Sequence, residues 1–138
     1  MSIFVVLILM LFAHIVDDFY LQGILAKMKQ QQWWIDNVPK IDNEQERYKY
    51  AKKYCLDYIS ALIIHSLSWT VMITLPILFV TVWNPHWVVY LMLGINLVIH
   101  AVVDDLKANK HKINLVIDQS IHFVQIVMTW CVWAFALK

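Results

Sequence analysis

WVVYLMLGINLVIHAVVDDLK, residues 87–107, decides the class of this protein. At about 1.5 Å per residue, a helix of this length crosses a hydrocarbon core of about 30 Å. Yet it carries a histidine and two aspartates toward one end. Three further stretches have the same character: residues 2–23, 57–83 and 113–137. The chain of 138 residues is 61% hydrophobic and 15% charged, whereas a soluble domain is about a quarter charged. A globule this small cannot hide so much apolar surface, so lipid must be its solvent. The expected fold is all-α: one membrane domain over residues 1–138, a four-helix transmembrane bundle of up-down topology.

Smaller signals fit that frame. The opening MSIFVVLILMLFAHIVDD lacks the basic n-region and cleavage site of a signal peptide, and it reads as a retained first span. Pro76 predicts a kink in the second span, and Asn84-Pro85 a tight turn after it. Two glycines and three prolines leave no linker or low-complexity segment. Cys55 and Cys131 fall at opposite membrane faces, cannot pair within the chain, and read as packing residues.

Residues 24–56 form a polar connection with Trp33 and Trp34 at headgroup depth. Asn43 and Glu46 resemble a capping box, which predicts a helix from about residue 43 running straight into span two. Ten of the eleven Lys and Arg residues lie in two connections. Lys27, Lys29, Lys40, Arg47, Lys49, Lys52 and Lys53 are in the first; Lys107, Lys110 and Lys112 are in the third. Only Lys138 is on the other side. The positive-inside rule puts both connections in the cytoplasm and both termini outside. Trp83, Trp87, Trp130 and Trp133 then make an outer aromatic belt.

The ionisable residues within the spans gather at one depth. His14 and Asp18, His65, His100 and Asp104, and Asp118 and His122 come from all four helices, roughly 5–15 Å below the cytoplasmic boundary. Three pairs have i, i+4 spacing, which sets both side chains on one helix face. A charge in the hydrocarbon region costs at least about 2.5–3.5 kcal/mol and turns toward the bundle interior. Crowded carboxylates repel, and a divalent cation resolves that conflict with imidazole and carboxylate as its natural ligands. Zinc is the first choice, with manganese or iron as alternatives. Seven candidates exceed one tetrahedral shell, so either one ion is held with orienting groups and a general base around it, or two ions are bound.

Other polar residues have plainer expectations. Asp17 and Asp105 neighbour Asp18 and Asp104 and could replace them as ligands, since one residue turns a helix by about 100°. They read first as helix caps or water-facing acids, and His86 and His111 as solvated turn residues. Asn96 sits one turn from His100 as an orienting group. Gln22, Lys107 and Gln119 are candidates to orient a substrate. A lone histidine in such a helix is more often a hydrogen bonder between helices than a ligand; agreement among four helices is what favours a metal.

The strings AHIVDDFYLQ (His14, Asp18, Gln22), His65, HAVVDDLK (His100, Asp104, Lys107) and DQSIH (Asp118, Gln119, His122) together resemble domain-of-unknown-function family 3307, a group of small membrane proteins of bacteria and their phages. The resemblance covers nearly the whole chain and implies a protein of the cytoplasmic (inner) membrane of a bacterium, with no activity attached. More loosely, HxxxD pairs on bundled helices are similar to those of membrane-bound metal-dependent hydrolases and zinc phospholipases C. The HxxxE pair of the phospholipases is missing, which leaves a chemistry class without a substrate.

The leading functional expectation is a metal-dependent hydrolase with Asp18, Asp104 or Asp118 as general base. It would act on a phospholipid or polyprenyl phosphate of the cytoplasmic leaflet. Transport or proton relay is less favoured, because the other halves of the spans are almost free of ionisable groups. A third reading is a non-catalytic module whose residues 24–56 bind or inhibit a cytoplasmic protein. A homodimer stays open, and a net charge of +1 gives no reason to expect nucleic acid.

Overall fold

The computed structural model describes residues 2–37 and 42–135. All regular structure among them is helical: α1 (Ile3–Ile15), continued by a π-helical turn over Val16–Leu21, α2 (Leu25–Met28), α3 (Gln31–Asp36), α4 (Glu44–Tyr54), α5 (Asp57–Val80), α6 (Trp87–Ala108) and α7 (Leu115–Phe135). Lys40, Lys138 and the last residues of the fourth expected span lie outside the described residues. Four helices are long and apolar enough to cross a membrane: Ile3–Leu21, the helix ending at Val80, Trp87–Ala108 and Leu115–Phe135.

The four pack in a ring, α1 against α5, α5 against α6, α6 against α7, and α7 back against α1. Each buries a stripe at helical spacing: Val6, Met10, His14 and Asp17 on α1 and its π turn, and Asp118, His122, Gln125 and Thr129 on α7. Phe12, Ile64, Val98 and Val124 face outward and are exposed. Polar groups inside and large apolar groups outside is the distribution that lipid selects, because backbone and polar side chains find partners only within the bundle.

Charge decides the two ends of the bundle. At one end Val6, Met10, Ile73, Ile77, Ile126 and Trp130 form an apolar core, and the Trp130 indole N–H donates to Ile3 O at 2.7 Å. The other end holds the ionisable residues. There Gly23 takes φ +48, a left-handed conformation that glycine adopts without steric cost, and the chain folds back as α2 and α3 against α5. Asn109, just past α6, fixes this fold-back: its amide donates to Lys29 O at 3.1 Å and accepts from Gln31 N at 2.7 Å.

Some local expectations hold and others are corrected. Asn43 does cap α4, accepting from Gln45 N at 2.9 Å, and a two-residue turn at Cys55 and Leu56 joins α4 to α5 within one helical stretch, Glu44–Val80. Pro76 lies inside α5, which is helical on both sides of it, as the expected kinked span would be. The turn after α5 is made by Val82 (φ 53) and Trp83 (φ 60), ahead of Asn84-Pro85. Trp34 is half-buried and donates to Met28 O at 2.7 Å. Cys55 and Cys131 are both free.

Candidate metal centre

The π-helical turn at the end of α1 shapes one wall of the site. A π turn shifts the register of a helix by one residue and often marks a functional site. Here both Asp17 and Asp18 turn inward. Asp17, expected to cap or face water, is instead buried at 2% exposure and accepts from Ser68 Oγ at 2.7 Å. Asp18 reaches the centre of the bundle.

Four elements then converge. His65 Nε2 of α5 stands 3.0 Å from His100 Nε2 of α6 and 3.1 Å from Asp104 Oδ2. His100 Nε2 is 3.7 Å from Asp104 Oδ2, and Asp18 Oδ1 is 3.7 Å from His65 Nε2. Ligands bound to zinc at 2.0–2.2 Å lie about 3.3–3.6 Å apart along the edges of a tetrahedron. The observed separations straddle that range; His65, His100 and Asp104 are almost fully buried and Asp18 is half-buried. Both Asp18, His65 and His100 and the trio His100, Asp104 and His122 can hold a metal ion. The donor set of imidazole and carboxylate fits a divalent cation.

Helix α7 brings a further pair. His122 Nε2 lies 3.4 Å from Asp118 Oδ1 and 3.6 Å from Asp104 Oδ1. The other oxygen of each carboxylate carries a lysine: Lys29 Nζ sits 2.6 Å from Asp104 Oδ2 and Lys107 Nζ 2.6 Å from Asp118 Oδ2. Lys107 was a candidate from sequence. Lys29 was read only as a loop cation, and the fold-back at Gly23 is what buries it.

His14 is differently placed from the other histidines. The Trp69 indole N–H, a donor only, gives its hydrogen bond to His14 Nδ1 at 2.7 Å. A neutral His14 therefore carries its proton on Nε2, which donates to Gln119 Oε1 at 3.1 Å. The Gln119 amide then donates to Asp18 Oδ2 at 2.9 Å and Asp118 Oδ2 at 3.0 Å. Both ring nitrogens of His14 are thus engaged in orienting two acids. Gln22 also donates to Asp18.

A second chain of bonds runs from His122 toward the apolar end. The Gln125 amide donates to Asn96 O at 3.1 Å, so its Oε1 is the atom left to face His122 Nδ1, also at 3.1 Å. Asn96 in turn donates to Thr129 Oγ1 at 2.7 Å. Trp69 and His122 both pack against the His100 ring, with centroids 4.2 and 4.1 Å away, and against each other at 5.2 Å. Nothing in the sequence singled out Trp69, since a tryptophan mid-span reads as core until its N–H is seen to face a histidine.

A cleft of about 370 Å³ opens onto this cluster, lined among others by Asp18, Gln22, Lys29, Lys107, His111 and Gln119. Beside it an apolar groove of about 570 Å³ runs along α7 past Phe123 and Val124, and the two share Leu115 and Gln119. Asp105 is at the rim, 2.7 Å from Lys110, and that hydrogen bond raises the lysine's pKa. His86 caps α6 by accepting from Val88 N at 3.4 Å. Comparisons with protein-family models, curated proteins and solved structures find no match to this chain.

Proposed function

We propose that this chain is a membrane-embedded, metal-dependent hydrolase that cleaves a lipid phosphate ester, a phospholipid or polyprenyl phosphate, at the cytoplasmic leaflet of a bacterial inner membrane. The up-down topology with both termini outside, the kinship with family 3307 and the choice of zinc belong to the same proposal. One observation carries it: His65 Nε2, His100 Nε2 and Asp104 Oδ2 lie 3.0–3.7 Å from one another, a spacing that a shared metal ion can span, with Asp18 beside them on the wall of an open cleft. Three protein ligands and an open side are the pattern of a catalytic site.

When bound, a divalent cation supplies Lewis acidity toward a phosphoryl oxygen and activates water. The chain supplies the rest. Asp18, oriented by Gln22 and Gln119, takes the proton of water as its oxygen bonds to phosphorus. The ester P–O bond breaks, and Asp18 returns the proton to the leaving alkoxide. Lys29 and Lys107 line the cleft where phosphate charge must be met. The adjoining apolar groove suits a hydrocarbon chain.

A second reading has its own support. Lys29 with Asp104 and Lys107 with Asp118 form short ion pairs that neutralise two acids without a metal, as a non-catalytic module would require. The test loads purified protein with zinc or manganese and assays release from phosphatidyl and polyprenyl phosphates. The hydrolase reading expects turnover that Asp18→Asn abolishes while metal content stays. Metal-loaded protein without turnover on any of these lipids overturns it in favour of the module.

A further inference from the structure

We infer that Asp104 is a bridging carboxylate and that a second divalent cation binds on its other face, held by Asp104 Oδ1, His122 Nε2 and Asp118 Oδ1. The inference deepens the proposed metal centre and rests on it.

Two buried atoms beside the first site have no hydrogen-bond partner among the described residues. Asp118 Oδ1 and His122 Nε2 are both unpaired on residues of 0% exposure, and they lie 3.4 Å apart. An unmet polar atom in such a place costs about 1–3 kcal/mol, and two facing each other ask for a shared partner. The bonds around them say what kind. Because Gln125 spends its amide on Asn96, its carbonyl takes the Nδ1 proton of His122. The Nε2 lone pair of a neutral His122 then aims at two carboxylate oxygens, Asp118 Oδ1 and Asp104 Oδ1 at 3.6 Å. A second proton on Nε2 or a metal cation can lie among these three atoms. Separations of 3.4 and 3.6 Å are long for an N–H···O bond and match the tetrahedral edges of a bound ion, which favours the metal.

The lysines do not fill this role. Lys29 and Lys107 both pair with the Oδ2 atoms of their carboxylates and leave both Oδ1 atoms facing His122. Asp104 therefore divides its two oxygens: Oδ2 goes to His65 and His100, and Oδ1 to His122. One imidazole and two carboxylate oxygens form a harder donor set than the neighbouring site, within the range of zinc or manganese. Paired ions on a shared ligand are a recurring arrangement for phosphate ester displacement.

The experiment is a metal count on the full chain in detergent, stripped with chelator, reloaded with zinc alone and freed of excess. Wild type is expected to hold two ions per chain, and His122→Gln and Asp118→Asn one each. Asp104→Asn, which removes the bridge, is expected to hold none. Manganese-loaded wild type should show an exchange-coupled paramagnetic resonance signal that His122→Gln converts to an isolated one. A wild-type count of one overturns the inference without recourse to any variant, as does His122→Gln holding two. Two ions with no lipid turnover keep the bridge and sink the hydrolase. One ion with turnover does the reverse.

Discussion

The same four helices are held together differently at their two ends. At the far end Val6, Met10, Ile73, Ile77 and Ile126 are wholly buried among one another, and few polar bonds give the packing direction, chiefly those of Trp130 to Ile3 and Asn96 to Thr129. At the site end His14, His65, His100, Asp104, Asp118 and His122 are just as buried, but polar contacts between helices place them, with donor and acceptor sense fixed at His14 by Trp69 and at Gln125 by Asn96. Lipid explains the contrast. Apolar packing inside a bilayer gains little over contact with lipid tails, so it leaves helix rotation loosely specified, whereas polar contacts between helices specify it. Trp69 joins the two modes, since its ring belongs to the apolar core while its N–H fixes His14.

Asp104→Asn should break the contrast most severely. It leaves Lys29 in its buried place without a counter-ion, a loss of about 3–5 kcal/mol for a broken buried pair. A melting curve in detergent, with and without zinc, reads both the destabilisation and the loss of metal protection. Truncation at the far end should do less and leave the chemistry alone. Ile73→Ala is expected to cost about 2 kcal/mol, the low end for core truncations because lipid rather than water surrounds the bundle. Unchanged zinc content is the control that sharpens the comparison; a fall in zinc would mean that the two ends are coupled.

Trp69→Phe keeps the ring and removes the donor. With His14 no longer held at Nδ1, zinc affinity should fall about tenfold, the lower end for loss of an orienting partner, while the fold persists by circular dichroism. Affinity equal to wild type would show that the His14 and Gln119 chain orients nothing that binds metal. The smallest effect belongs to the turn after α5. Val82 is β-branched, exposed and at φ 53, a region that costs a residue with a side chain about 1–2 kcal/mol. Val82→Gly is expected to raise stability by about 1 kcal/mol with no change in metal binding, as measured in the same melts.

Asp17 and Asp18 make clear how far the sequence reaches. Helical periodicity left the two adjacent acids ambiguous, because neighbours on an α-helix differ by about 100°. The π turn resolved it in an unforeseen way, by turning both inward against different helices, Asp17 buried beside Ser68 and Asp18 half-buried on the cleft wall beside Gln119. Asp104 and Asp105 were equally ambiguous. There the regular helix α6 kept one inside and left the other at the rim with Lys110.

What the sequence determined by itself was the class of the molecule and the level of its site. Runs of about 20 apolar residues need lipid, and histidines and aspartates at one depth on four helices need each other, whatever the packing. Tertiary structure alone decided the roles. Lys29 reaches Asp104 because glycine lets the chain turn back, not because of any local pattern. His14 orients while His65 and His100 converge with Asp104, because Trp69 of α5 and Gln119 of α7 claim both of its nitrogens. A hydrogen bond is a property of two atoms at a distance and an angle. Residues 55 and 105 positions apart in the chain meet that condition only once the helices have packed.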